Sequence, residues 1–140
     1  FATDQDPVTL SKLEAEKIVL FFYPKDDTPG CTIEVQEFRD LKEDFEREGT
    51  LIFGISRDSV ASHIKFSDKF DLNFPLIADV DEILSKEFDV LKEKKVFGKV
   101  GIGIERSTFI LNTKGEILKE WRNLKAPGHA AEVLEAIKTL

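Results

Sequence analysis

The chain carries one cysteine, Cys31, inside the stretch YPKDDTPGCT that runs from Tyr23 to Thr32. A lone thiol is ordinarily a small buried hydrophobe, yet this one is wrapped in proline, aspartate, threonine and glycine. Before it, residues 17–23 (KIVLFFY) form a continuous β-branched and aromatic run, the pattern of a strand buried on both faces. After it, Val35, Phe38, Leu41 and Phe45 recur at three- to four-residue spacing, an amphipathic helix that Gly49 ends. Cys31 therefore sits where a strand hands over to a helix. Free backbone N–H groups and the positive end of the helix dipole, about half a charge, favour a negative sulfur at such a place. The thiolate is the nucleophile, and ionising a thiol of ordinary pKa fully raises its thiolate at neutral pH about thirty-fold. Thr28 offers a hydroxyl that can meet the sulfur or a substrate oxygen. Pro24 and Pro29 stiffen the loop, and Gly30 lets a bound molecule approach the backbone. By position alone, a nucleophile and an inert packing residue remain level as readings of Cys31.

The elements that must hold this loop follow from periodicity. Residues 50–56 (TLIFGIS) read as a second buried strand, and residues 59–70 as a helix with Val60, Ile64 and Phe70 inward. A short apolar strand at 75–78 precedes a helix over 82–90 through Ile83, Leu84 and Phe88. Strands at 108–111 and 116–121 flank NTKG, the clearest hairpin signal in the chain. A last helix begins near Gly128 with Val133, Leu134, Ile137 and Leu140 on one face. This order predicts one α/β domain over residues 1–140, a mixed sheet with helices on both faces.

Composition narrows the chemistry. The 140 residues suit one sizeable core, and 41% hydrophobic with 34% charged residues is the balance of a globular protein. Net charge is −7, with Asp and Glu spread along the chain rather than in blocks, which argues against nucleic acid as a partner. The longest apolar run is too short to span a bilayer, and no secretory signal opens the chain. One cysteine allows neither an internal disulfide nor a cysteine-rich zinc site, and points to a reducing compartment, the cytoplasm.

The spacing of Pro24, Thr28 and Cys31 is P-x-x-x-T-x-x-C directly after an apolar strand. In this the chain resembles the peroxiredoxins, thiol peroxidases of thioredoxin-like fold, and within them the bacterioferritin comigratory protein (PrxQ) subfamily. The resemblance is carried by FFYPKDDTPGCT, EFRDL, GIERSTFIL at 103–111 and GHAAEVLEAIK near the end, in order over nearly the whole chain. Phe1 resembles the end of that family's N-terminal segment. The resemblance implies that Cys31 attacks the peroxide O–O bond and becomes a sulfenic acid. It assigns Thr28 to holding the peroxide, Pro24 to shielding the thiolate from water, and Arg106 of ERSTF to stabilising thiolate and peroxide oxygens. Arg106 alone would read as a surface residue paired with Glu105.

Many members of the subfamily have a resolving cysteine five residues after the first, where this chain has Gln36. The resemblance is thus to a one-cysteine peroxidase for hydrogen peroxide and organic hydroperoxides. Its sulfenic acid must be reduced by an external thiol: thioredoxin, glutaredoxin or a small thiol. A monomer or weak homodimer without cofactor or metal is expected. The alternative is a non-catalytic redox sensor or binding module oxidised at Cys31. Four other features read as structural: His63 and His129 as solvated or capping, and Asp26 with Asp27 as loop solvation. The acidic and basic residues from Glu34 to Glu48 read as a solvated helix face, and Trp121 as half-buried packing. Gly98, Gly101 and Gly103 do not have the dinucleotide spacing.

Overall fold

The computed structural model describes residues 1–10, 13–96 and 98–140. Its elements are β1 (Lys17–Phe22), α1 (Pro29–Arg47), β2 (Thr50–Ser56), α2 (Val60–Phe70), β3 (Leu76–Ala78) and α3 (Ile83–Glu87). They continue with β4 (Leu91–Val96), β5 (Lys99–Ile104), β6 (Ser107–Asn112), β7 (Ile117–Trp121) and α4 (His129–Thr139). Five strands form one mixed sheet in the order β3-β2-β1-β6-β7. β1, β2 and β3 run parallel, whereas β6 is antiparallel to both β1 and β7.

The continuous apolar run of β1 serves two layers, because side chains alternate across a strand. Val19, Phe21 and Tyr23 pack with Cys31, Val35, Phe38 and Phe45 of α1, and with apolar residues of α2 and α4. Ile18, Leu20 and Phe22 face the other way, onto Leu84 of α3, Val90, Ile104 and Phe109. Helices therefore cover both faces of the mixed sheet, the thioredoxin-like arrangement expected.

The NTKG hairpin joins β6 to β7, with Gly115 at φ 80° and the Asn112 side chain accepting from the Lys114 and Glu116 amides. The sequence expectation omitted β4 and β5, a separate antiparallel hairpin between α3 and β6. Val100, Ile102 and Ile104 alternate along β5, but two of the three are exposed and β4 is mostly charged, so the hairpin has no buried apolar face to mark it. α3 is also shorter than expected and stops at Glu87.

The inward face of α2 is rotated from the expected one. His63 and Phe66 are buried while Ile64 is 44% exposed. Ile83 and Leu140, also expected inside, are exposed. Apolar type marked these positions, but the polar His63 takes the inner place because buried partners satisfy it.

Candidate active site

The register Phe22↔Ser107 between β1 and β6 decides what meets at the mouth of the sheet. The loop leaving β1 emerges beside the residue that enters β6. That places Arg106 against Cys31, 75 residues away in sequence, with its Nη2 donating to the sulfur at 3.3 Å. Cys31 lies in the first turn of α1 and is 0% exposed. It continues the inner stripe formed by Phe38 and Phe45, seven and fourteen residues on, so packing orients its side chain inward. An inert packing cysteine has no use for a guanidinium on its sulfur. A guanidinium at this distance is a charged donor aimed at the sulfur.

The helix start is assembled as the sequence indicates. Thr28 is the N-cap, Pro29 the first helical residue, and the amides of Gly30 and Cys31 fall among those outside the helix ladder. Thr28 does not cap α1 with its side chain; its hydroxyl donates to the Lys25 carbonyl at 2.8 Å. With that proton engaged, the Thr28 oxygen is left as an acceptor. Pro24 and Arg106 line one cavity of about 370 Å³ with Lys92, Glu93, Lys94, Glu105 and Asn123. Burial, then the nearby Arg106, hold the Lys94 ammonium below its usual range. Gly30 leaves room for the guanidinium, since a Cβ there would lie 3.0 Å from Arg106 Nη2 and push it aside.

Arg106 is not paired with Glu105. Its Nη1 donates to Glu34 Oε1 at 2.7 Å, and the Glu34 side chain is completely buried. This corrects the reading of Glu34 as part of a solvated face. Glu34 lies three residues after Cys31, so both project from one side of α1 and grip the same guanidinium. Burial pushes the Glu34 carboxyl up to about 7, against the opposing pull of Arg106. Burial works to lower the Arg106 pKa, but Glu34 and then Cys31 outweigh it and hold it above its ordinary value. Glu34 Oε2 has no hydrogen-bond partner among the described residues, which adds to the cost of its charge. The same helix that offers the sulfur thus carries the residue aiming the arginine.

Three further expectations are corrected. His63 is fully buried rather than solvated, and Asp26 is buried beneath the loop with it. His129 is buried too, with Nε2 2.8 Å from the Thr108 hydroxyl, and burial holds its pKa below the usual histidine range. Only Asp27 of the aspartate pair is exposed, held by Lys69 at 2.9 Å. Trp121 is half-buried against the α1/α4 core, as expected. No local signal marks Glu34 or His63, whose partners lie at least one element away; Asp26 has Tyr23 three residues before it, but it also meets Ser62 and His63 of α2.

Among the described residues, no group of three or more His, Cys, Asp or Glu is placed to hold a metal ion. No described helix is long and apolar enough to cross a membrane. An apolar groove lined by Leu10, Ile18, Ile83, Phe88 and Leu111 contains none of the residues around Cys31.

The AhpC/TSA family model matches residues 2–120. The peroxiredoxin Bcp of Xanthomonas campestris is 50% identical over 121 residues, 86% of this chain and 76% of that protein. The peroxiredoxin Bcp of Bacillus subtilis is 47% identical over 135 residues, covering 96% of this chain and 86% of its own length. A crystal structure of a PrxQ variant from Xylella fastidiosa superposes with a TM-score of 0.90 at 48% identity, covering 94% of this chain and 82% of that one. A bacterioferritin comigratory protein structure from Xanthomonas campestris, described for its alkyl peroxide reduction activity, matches at a TM-score of 0.85 and 48% identity, covering 90% and 80%. The chain belongs to the AhpC/TSA family, among its bacterioferritin comigratory (PrxQ) peroxiredoxins.

Proposed function

We propose that this chain, acting as one domain, is a thiol-dependent peroxidase whose nucleophile is Cys31. The observation carrying this reading is the Arg106 guanidinium on a buried helix-start sulfur in a chain of the peroxiredoxin family. The Cys31 thiolate attacks one oxygen of a hydroperoxide. The O–O bond breaks, Cys31 becomes a sulfenic acid, and water or an alcohol leaves with a proton. Negative charge moves from sulfur to the departing oxygen during this step. Arg106 and the Gly30 and Cys31 amides form the donor set for that charge. Thr28, its own proton on Lys25, accepts from the peroxide O–H. Pro24 closes the site against water, and Glu34 orients Arg106.

This chain holds no second thiol, so two electrons must come from outside. One external thiol forms a mixed disulfide with Cys31 and releases water, and a second frees the Cys31 thiol. Thioredoxin, glutaredoxin and low-molecular-weight thiols have the required chemistry, which suits a reducing cytoplasm. The test is peroxide consumption driven by each donor, for hydrogen peroxide and an alkyl hydroperoxide. Multiple turnovers that vanish in Cys31→Ser are expected. Full activity in that variant, or a single turnover with every donor, refutes the reading.

A further inference from the structure

The loop carrying Pro24 and Thr28 is tied down by a buried polar cluster that takes no part in the chemistry at Cys31. Asp26 is at its centre, only 7% exposed. Its Oδ1 accepts from the Tyr23 hydroxyl at 2.6 Å and its Oδ2 from the Ser62 hydroxyl at 2.8 Å. The same Oδ2 lies 2.7 Å from Nδ1 of His63. Across the ring, His63 Nε2 lies 3.0 Å from the Ile77 carbonyl oxygen.

The hydrogen-bond partners set the proton count. A carbonyl oxygen only accepts, so Nε2 carries a proton. The short contact between Oδ2 and Nδ1 holds a second proton, which on Nδ1 makes the pair an imidazolium and a carboxylate. Without it, the Nδ1 lone pair would face Oδ2 at 2.7 Å. A protonated imidazole against a carboxylate is neutral as a unit and has its hydrogen bonds satisfied, which lets both residues be buried.

Resting on the peroxidase reading above, we infer that Asp26 and His63 are positioning residues whose buried ion pair sets the Pro24–Thr28 side of the site. The Asp26 amide adds a tie to Asp58 Oδ2 at 2.8 Å, and Asp58 in turn accepts from the Ser56 hydroxyl at 2.6 Å. Between these ties and Thr28 lies Asp27 at φ 57°, a left-handed conformation that a non-glycine residue holds only when its neighbours are fixed. The exposed Lys69–Asp27 pair is screened by solvent and adds little to the hold. α2 and the end of β2 thus anchor one wall of the site. The other wall, Arg106 and Glu34, comes from the start of β6 and from α1. Loosening the pair moves Pro24 and Thr28 while Arg106 stays on the sulfur.

That separation can be measured in the full chain. Cys31 oxidation by hydrogen peroxide uses both walls, whereas its alkylation by iodoacetamide needs only the thiolate. In Asp26→Ala, oxidation is expected to slow about ten- to hundred-fold, the effect of a displacement near 1 Å, with alkylation changed less than about two-fold. Asp26→Asn keeps the shape and an acceptor for Tyr23, and serves if the alanine variant fails to fold. Its oxidation should slow about three- to ten-fold, with alkylation again unchanged. Nitrogen-15 NMR of the wild type should show both His63 ring nitrogens protonated. An oxidation rate within about two-fold of wild type in a folded variant, equal falls in both rates, or a single protonated His63 nitrogen overturns the inference. Absence of Cys31-dependent peroxide reduction in the wild type instead removes the peroxidase reading, and the positioning role with it, while the His63 spectrum still reports on the pair.

Discussion

Glu34 makes the stability of this protein depend on pH in a direction opposite to that of an ordinary salt-bridged acid. Its carboxyl titrates at about 7 in the fold against an ordinary 4.5. Between those values the folded chain holds a proton that the unfolded chain has lost. Stability from this group is therefore fully present below about pH 4.5, falls as pH rises toward 7, and is level above it. Each pH unit in that window weighs about 1.4 kcal/mol, so the whole effect is about 3 kcal/mol. No discount for solvent applies, because the side chain is completely buried. Glu34→Gln removes the titration and keeps an oxygen for Arg106. Urea unfolding at pH 5 and pH 8 should show the variant losing about 2 to 3 kcal/mol less than wild type across that interval, other groups cancelling in the comparison. Parallel losses within about 0.5 kcal/mol would refute the account of Glu34 as a carboxylate ionised against its burial. The same variant exchanges a charge-assisted bond to Arg106 for a neutral one, so Cys31 oxidation should slow about five-fold.

Two further substitutions test the start of α1. Gly30→Ala replaces the weaker helix former, a gain of up to about 1 kcal/mol, but sets a methyl 3.0 Å from Arg106 Nη2. Its melting temperature should hold or rise while peroxide oxidation of Cys31 falls about ten-fold; an unchanged rate would show that the guanidinium need not be where it is. Gln36→Cys puts a thiol five residues from Cys31 within α1, about 9 Å away between Cα atoms, beyond the roughly 7 Å a disulfide spans. The first turn has no side-chain cap and contains Pro29 and Gly30, so it should open on peroxide treatment and close an internal disulfide, read as a mass loss of two hydrogens. No such loss would mean that this helix start is too stable to unwind.

The elements around Cys31 were legible because their signals are local. The apolar run of β1, the stripe of Val35, Phe38 and Phe45 on α1, and NTKG before β7 each state their structure within a few residues. The β4/β5 hairpin was missed although Val100, Ile102 and Ile104 alternate along β5, since β4 is mostly charged and glycines stand between the apolar residues. Ile64 and His63 illustrate the converse failure: hydrophobic type pointed inward at 64, but buried partners for the imidazole turned α2 by one residue.

The sequence by itself located the one thiol of this chain, showed where the loop and helix that present it begin, and placed Gln36 where a second thiol would stand. Those follow from residue type and short spacing. Only the tertiary structure decided that Glu34 belongs to the site, that it rather than Glu105 holds Arg106, and that Asp26 and His63 lie beneath the loop. Each depends on strand register and helix packing joining residues up to 72 positions apart. A buried charge and a solvated one have the same letter in a sequence; the partner that permits burial distinguishes them.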